Sequence, residues 1–261
     1  MTASGAFAGT VPPAGTRVLI VGGCGAIGRG LVDACTGLGH EVAVMDLPRS
    51  IEERPPTGDT AVVLPCNATD PAQVESAFAG LAAAWDALDV LFFVAGFTLT
   101  PPRPTEQIDA EQWDEVLRGN LTSAHLVTRA ALPLLRKGNQ ASIVMVSSGM
   151  GVVALPGFGP YSAAKAGLIA LTKTLALEHA PSIRVNGVAP SAIDSDFMRG
   201  GLGRTDSDGS WFNPAPYVPS IPLGRLAEVT DVIGPMLFLA SPAATFVTGQ
   251  TLHINGGRFM A

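Results

Sequence analysis

A short apolar strand, a glycine-rich turn and an amphipathic helix constrain the fold more than any other stretch of this chain. Residues 17 to 21 read RVLIV, and Gly22, Gly25 and Gly28 then precede an apolar-periodic segment that runs from Ile27 to Leu38. Glycines in such a turn let the backbone approach a pyrophosphate, whose charge is favourable at the positive end of the helix dipole. Glycines also serve ordinary turns, so the strand before and the helix after carry the prediction of a dinucleotide-binding turn.

Apolar strands alternate with helices along the rest of the chain. Further strands are predicted at residues 42–45, 61–64, 89–94, 142–146, 183–188 and 252–254, and further helices from residue 70 and at 109–118, 121–136, 160–179 and 229–239. Residues 47–60 read as a polar connection. Strands this apolar are buried on both faces, as in parallel sheets covered by helices. The sequence therefore predicts an α/β fold with a doubly wound, Rossmann-type parallel sheet in a single domain at residues 16–261. Residues 1–15, rich in Ala, Gly, Thr and Pro, are expected to form a flexible tail.

Charge and composition exclude several classes of function. The net charge is −6 and the basic residues are scattered singly, which argues against nucleic acid or an anionic membrane surface as a partner. No apolar run approaches the roughly 20 residues of a membrane helix, and the first residues do not resemble a signal peptide. The three cysteines and four histidines match no ligand spacing, so no metal site is predicted. We expect a cytoplasmic protein with reduced cysteines.

Asp46 at the end of the second strand predicts the cofactor. It lies 24 residues after Gly22, where a carboxylate can accept hydrogen bonds from an adenosine ribose and repel a 2′-phosphate. This position favours NAD over NADP. Arg29 and Arg49 are the cations that could reverse the preference by pairing with a phosphate.

Tyr161 and Lys165 form a candidate proton-transfer pair. They are four residues apart on a predicted helix, so their side chains share one face. A free phenol has a pKa of about 10, and an ammonium within about 4–6 Å is expected to lower it. A tyrosine placed in this way can exchange a proton with an alcohol or a carbonyl. The same spacing is common on helix surfaces, so the pair depends on the rest of the chain for its meaning.

The order and spacing of several motifs resemble the short-chain dehydrogenase/reductase family over nearly the whole chain after Gly15. The motifs are Gly22–Gly28, Ala95-Gly96, Asn120, Ser148, Tyr161–Lys165, residues 183–186, Thr248-Gly249-Gln250 and Asn255-Gly256-Gly257. The resemblance implies that Ser148 hydrogen-bonds the substrate oxygen and that Tyr161 is the acid/base. It also implies that Lys165 binds the nicotinamide ribose and lowers the pKa of the tyrosine, while Asn120 holds a water in a proton relay.

The resemblance also implies cofactor contacts, and the chain departs from the family pattern at some of them. The expected contacts are Gly22, Gly25, Ile27, Gly28, Asp46, Cys66, Asn67, Ala95, Gly96, Tyr161, Lys165, Pro190, Ile193 and Ser195. Asn67 stands where an aspartate is frequent, Ser191 replaces a glycine, and Ser195 replaces a threonine. We expect NAD binding to survive these changes.

Residues 197–222 are expected to form a substrate loop with apolar contacts. Trp211 within it, with Phe97, Met150 and Phe158 near the catalytic strand ends, predicts an apolar pocket. The main prediction is an NAD-dependent oxidoreductase for a hydrophobic or aromatic secondary alcohol and its ketone, working in the oxidising direction. The alternatives are an NADPH-dependent ketoreductase on acyl or polyketide-like ketones and a non-catalytic dinucleotide-binding scaffold. The Ala- and Leu-rich helices at 121–136 and 161–179 suggest a homotetramer or homodimer.

Overall fold

Seven parallel strands form one sheet in the computed structural model, which describes residues 9–58, 60–193, 195–199 and 212–260. The strands are β1 (Arg17–Val21), β2 (Glu41–Asp46), β3 (Thr60–Pro65), β4 (Val90–Phe93), β5 (Ser142–Val146), β6 (Arg184–Pro190) and β7 (Thr251–Ile254). Their order is β3-β2-β1-β4-β5-β6-β7, and every neighbouring pair is parallel. Strands are added to one side of β1 up to β3 and to its other side from β4 onward. This switch between β1 and β4 opens a crevice at the carboxyl ends of the strands. The predicted doubly wound, Rossmann-type sheet is confirmed.

Helices cover both faces of the sheet. They are α1 (Ala26–Gly37), α2 (Pro48–Glu53), α3 (Pro71–Ala84), α4 (Ala110–Leu117), α5 (Ser123–Leu135), α6 (Gly159–His179) and α7 (Val229–Ala240). Successive strand residues point to opposite faces, so Leu19 packs in the apolar cluster under α3, α5 and α6, whereas Ile20 packs under α1 and α7. This double burial is why the strands are apolar at every position. No described helix combines the length and apolarity needed to cross a membrane.

Two segments differ from the predicted pattern of helices. Residues 47–60 contain the short helix α2, because Pro48 at its first turn fixes a helical φ where no N–H is needed. The predicted break between the helices at 109–118 and 121–136 is instead a π-helical turn, Arg118–Thr122, that joins α4 to α5. Such turns insert one residue into a helix and occur frequently at functional sites.

Residues 9–15, the last part of the expected flexible tail, pack against the domain. Pro12 is buried, and its carbonyl oxygen lies 2.9 Å from Nε2 of His40. The carbonyl oxygen of Gly9 accepts a hydrogen bond from the backbone N–H of Ala243. Prolines restrict the unfolded chain, so ordering this segment costs less entropy than its composition suggests. Residues 1–8 of the predicted tail lie outside the described residues.

The turn between β1 and α1 is held by close backbone contacts that only glycine permits. Gly22 has a φ of +90°, and a Cβ there would lie 2.7 Å from the backbone nitrogen of Ala95, just after β4. A Cβ on Gly28 would lie 2.1 Å from the carbonyl oxygen of Gly22. Contacts this short force backbone to move, so these two glycines set the shape of the turn.

We therefore expect Gly28→Ala to lower the free energy of unfolding by about 2 kcal/mol or more, as overpacking of a rigid site does. Gly37→Ala is the matched control at the other end of α1, where a Cβ meets nothing within 4 Å. Its expected effect is a gain of about 0.5–1 kcal/mol, because alanine loses less entropy in a helix. Urea unfolding of both variants checks this. Equal stability of the two would contradict the contact.

Candidate active site

A large cavity of about 820 Å³ runs along the carboxyl ends of the central strands. All of the predicted cofactor-binding residues line this cavity: Gly22, Gly25, Ile27, Gly28, Asp46, Cys66, Asn67, Ala95, Gly96, Tyr161, Lys165, Pro190, Ile193 and Ser195. Tyr161 and Lys165 lie on α6, and the other residues follow five strand ends that are far apart in sequence. Their meeting follows from the parallel sheet, because every strand delivers its carboxyl end to the same edge.

The amino end of α1 fits an anionic pyrophosphate. Gly25 caps the helix without a side-chain hydrogen bond, and no acidic residue lies in the first turn. The first N–H groups of a helix have no partner within it and carry the positive end of the dipole. A Cβ on Gly25 would meet only the oxygen of Gly22, at 3.6 Å, so the turn is open on the cavity side. These features are those of a cradle for the phosphates of a dinucleotide.

The carboxylate of Asp46 is fixed at the far end of this cradle. One oxygen accepts a hydrogen bond from the N–H of Cys24 and the other from the N–H of Leu47, each at 2.8 Å. Burial raises the pKa of Asp46, whereas these hydrogen bonds and one from Ser50 act in the opposite direction. A carboxylate has lone pairs for further donors, so Asp46 can also accept from ribose hydroxyls.

Ser148 and Tyr161 meet at the centre of the cavity. Ser148 follows β5, and its Oγ accepts a hydrogen bond from the N–H of Met150 at 3.1 Å, which fixes the side chain. Tyr161 lies in the first turn of α6 and is 7% exposed. The Ser148 hydroxyl is close enough to the Tyr161 hydroxyl to lower its pKa. A carbonyl oxygen placed between them would have two donors within reach, which is the arrangement that proton transfer to that oxygen needs.

Lys165 does not lower the pKa of Tyr161, contrary to the sequence-based expectation. Burial raises the pKa of Tyr161 to about 12, and only the hydrogen bond with Ser148 opposes this change. Burial also lowers the pKa of Lys165 to about 7, so its charge is itself weakened. Its Nζ donates to the carbonyl oxygen of Val146 at 2.9 Å and lies 5.6 Å from the centre of the Tyr161 ring. Desolvation of both groups outweighs their spacing on the helix.

Asn120 is fully buried on the π turn, behind the cavity wall. Its Nδ2 donates to the carbonyl oxygens of Phe97 and Val116, and its Oδ1 accepts from the N–H of Phe97. A Cβ on Gly96 would lie 2.4 Å from Oδ1 of Asn120 and 3.1 Å from Nζ of Lys165. The missing side chain of Gly96 therefore leaves the space in which these two groups come together.

The substrate end of the cavity is largely apolar. Phe97, Met150 and Phe158 line it as predicted, and Trp211 lies outside the described residues. Sequence analysis missed several further lining residues: Arg54, Val153, Leu155, Arg258 and Phe259. For Arg258 and Phe259, the preceding glycine pair at 256–257 was the one sequence signal that indicated a turn of the chain toward the site.

Comparison with known proteins establishes the family. A family model described as "Enoyl-(Acyl carrier protein) reductase" matches residues 23–258, which include Gly25, Gly28, Ser148, Tyr161 and Lys165. The chain belongs to the short-chain dehydrogenase/reductase family. It is therefore an oxidoreductase of this family, as the motif order indicated.

Curated relatives and solved structures within the short-chain dehydrogenase/reductase family cover almost the whole chain. A 3-oxoacyl-(acyl-carrier-protein) reductase from Salmonella typhimurium is 31% identical over 94% of this chain and 98% of its own length. One of the same name from Staphylococcus aureus is 32% identical over 93% and 97%. A 3-ketoacyl-(acyl-carrier-protein) reductase from Brucella melitensis, solved in complex with NADH, has a TM-score of 0.83, with 27% identity over 95% of this chain and 99% of that one.

The buried Lys165 makes stability depend on pH. Its pKa is about 7 in the folded protein and 10.5 as its ordinary value, so between these values the unfolded chain binds more protons. The free energy of unfolding should therefore rise with pH from about 7 upward, by at most about 1.4 kcal/mol per pH unit from this group. Lys165→Met should remove this rise, whereas Lys173→Met, on the exposed side of α6, should keep it. Urea unfolding across this range checks the prediction; parallel profiles for the wild type and Lys165→Met would refute it.

Proposed function

We propose that this protein reduces 3-oxoacyl compounds to 3-hydroxyacyl compounds with NADH, and catalyses the reverse reaction with NAD. The observation that carries the proposal is the closeness of the Ser148 and Tyr161 hydroxyl groups in a cavity that has the dinucleotide cradle at one end and apolar walls at the other. A cofactor and a ketone that enter from these two ends would meet at the two hydroxyl groups.

The substrate class rests on the relatives and on the shape of the cavity. The sequence alone favoured a hydrophobic or aromatic secondary alcohol, with acyl ketones as an alternative. The curated relatives are named for 3-oxoacyl substrates, which favours the alternative. Met150, Leu155 and Phe158 offer apolar surface to an acyl chain. We therefore give the acyl ketone precedence.

The choice of NAD(H) rests on Asp46. Its carboxylate is held at the end of β2 by two backbone N–H groups, where the phosphate of NADP would meet a negative charge. Arg49 and Arg54 line the same end of the cavity and are the residues that would favour NADPH. The Brucella reductase is described in complex with NADH, so this cofactor and a 3-ketoacyl reductase occur together in the family.

The raised pKa of Tyr161 suits the reducing direction. A phenol with a pKa of about 12 stays protonated at neutral pH and can donate that proton to a carbonyl oxygen. Ser148 holds the same oxygen through its hydroxyl group, and the same hydroxyl favours the phenolate that remains. The nicotinamide ring supplies the hydride to the carbonyl carbon. This division of roles favours reduction over the oxidising direction that the sequence suggested.

The remaining alternatives are weaker. A non-catalytic scaffold has no need for hydroxyl groups of serine and tyrosine in contact within a buried cavity, so the site argues for chemistry. We also propose a homotetramer or homodimer, based on the Ala- and Leu-rich faces of α5 and α6; light scattering would test this assembly.

Tyr161→Phe should lower kcat for the reduction of acetoacetyl-N-acetylcysteamine by about 100-fold or more, because the proton donor is lost. Ser162→Ala is the matched control on the same helical turn, where the hydroxyl has no hydrogen-bond partner among the described residues. It should leave kcat within about twofold of the wild type, because no bond is lost. The assay follows NADH consumption. Unchanged turnover in Tyr161→Phe would overturn the proposed role.

Wild-type protein should bind NADH more tightly than NADPH, and Asp46→Ala should shift the ratio of the two dissociation constants toward NADPH by about tenfold or more. The ratio is the informative quantity, because loss of the bonds to Cys24 and Leu47 can disturb the turn and weaken both cofactors together. Calorimetry measures both constants. Tighter NADPH binding by the wild type would show that Arg49 and Arg54 outweigh Asp46.

A further inference from the structure

A cluster of three polar residues interrupts the apolar end of the cavity. Tyr217, in the loop before α7, meets Ser191 after β6 and Arg258 near the carboxyl terminus, and all three line the cavity. The Tyr217 hydroxyl and Ser191 Oγ are 2.6 Å apart, and Nη1 of Arg258 donates to the same hydroxyl. Ser191 stands where the family pattern expects a glycine, so this contact depends on a side chain that the usual residue lacks.

The hydrogen bonds fix the direction of each donor. The oxygen of Tyr217 accepts from Nη1 of Arg258 and, at 3.4 Å, from the N–H of Ala192. These two bonds occupy its lone pairs, so its own proton is directed to Ser191. Tyr217 thus anchors Arg258 to the loop that follows β6, in the wall of the cavity.

The guanidinium of Arg258 is held firmly, with no carboxylate partner in the part of the chain that the structure describes. It stacks on the ring of Tyr217 with Cζ 3.8 Å from the ring centre, and Nε donates to Oγ of Ser220 at 3.1 Å. A guanidinium has five N–H donors, and Tyr217 and Ser220 take two of them. A preorganised fork of this kind suits a carboxylate or phosphate.

The segment that carries Arg258 also lies close in space to the loop that follows Ser148. Its neighbour Phe259 packs on Gly149, where an added Cβ would lie 2.9 Å from the ring of Phe259. Gly149 directly follows Ser148, and both Arg258 and Phe259 line the cavity that holds Ser148 and Tyr161. Nδ2 of Asn255 donates a hydrogen bond to the carbonyl oxygen of Phe259 at 2.7 Å, which fixes this segment. The segment that carries Arg258 is therefore a wall of the active site.

We propose that Arg258, held by Tyr217 and Ser191, is an anion-binding residue of the substrate pocket that selects 3-oxoacyl substrates carrying an acidic group. This inference rests on the proposed function and specifies its substrate. The ligand chemistry is a carboxylate or phosphate oxygen, and it has two possible sources. One is the carboxylate of a free 3-oxo acid, and the other is a phosphate of a pantetheine-bearing thioester.

Three ketones with the same reacting group separate these sources. Acetoacetate carries a carboxylate, acetoacetyl-CoA carries phosphates, and acetoacetyl-N-acetylcysteamine is a neutral thioester. With Arg258→Gln, kcat/KM for at least one charged ketone should fall by about 10- to 100-fold, mainly through KM, as expected for the loss of a charge-assisted hydrogen bond. The neutral ketone should change by less than about threefold. Loss confined to acetoacetate identifies the carboxylate, and loss confined to acetoacetyl-CoA identifies the phosphate.

Two further variants separate anion binding from a purely structural role. Arg258→Lys keeps the charge and should recover part of the affinity for the charged ketone. Tyr217→Phe removes the bonds to Arg258 and Ser191 and should give a smaller loss in the same direction. An equal loss on all three ketones in Arg258→Gln would mean that Arg258 only ties the loop to the chain end, and an unchanged kcat/KM for both charged ketones would mean that it binds no anion. Either result overturns the proposal.

A binding measurement distinguishes failure of this inference from failure of the proposed function. Calorimetric titration of acetoacetate into protein with oxidised NAD involves no reaction, because both partners are already oxidised. Binding at least about tenfold weaker in Arg258→Gln supports the anion site even if no ketone is reduced. Equal affinity, or no binding, rejects the carboxylate as the ligand, and either result together with an unchanged kcat/KM for acetoacetyl-CoA in Arg258→Gln rejects the inference. Absence of turnover by the wild type with all three ketones rejects the proposed function alone.

Discussion

The site depends on the close approach of two backbone segments at the carboxyl edge of β1 and β4. Gly22 lies against the backbone of Ala95, and the missing side chain of Gly96 leaves space for Oδ1 of Asn120 and Nζ of Lys165. A single methyl group at either glycine would push the dinucleotide cradle away from the catalytic helix. The cofactor end and the chemical end of the cavity are thus held in register by the absence of side chains, a constraint that the parallel sheet makes possible because neighbouring strands end at one edge.

Burial gives the catalytic groups their protonation states. Tyr161 and Lys165 are both removed from water at the start of α6, and desolvation raises the pKa of the phenol to about 12 and lowers that of the amine to about 7. The fold retains a lysine whose charged form is unfavourable, with the carbonyl oxygen of Val146 as its hydrogen-bond acceptor. Functional sites commonly contain buried ionisable groups that lower the free energy of unfolding, and packing in the rest of the core offsets this loss.

The two ends of the cavity are built in different ways. The cofactor end uses backbone groups of one local turn and a carboxylate, Asp46, at a fixed distance along the chain. The substrate end gathers Met150, Ser191, Tyr217 and Arg258 from four separate segments. Among the described residues, Ser191, Tyr217 and Arg258 make no hydrogen bond to Ser148 or Tyr161, so variation in their segments can change the pocket while it leaves that pair in place.

The sequence by itself determined the sheet class, and it predicted the dinucleotide turn and the candidate pair of Tyr161 and Lys165, because strand burial, glycine spacing and the i, i+4 period are local properties of the chain. The tertiary structure decided the rest. The pKa of Tyr161 moved opposite to the expectation, since desolvation depends on everything packed around α6 and not on its distance from Lys165. The packing of residues 9–15 and the contact of Arg258 with Tyr217 were likewise invisible in the sequence, because residues 41 positions apart meet only when the chain folds back across the sheet.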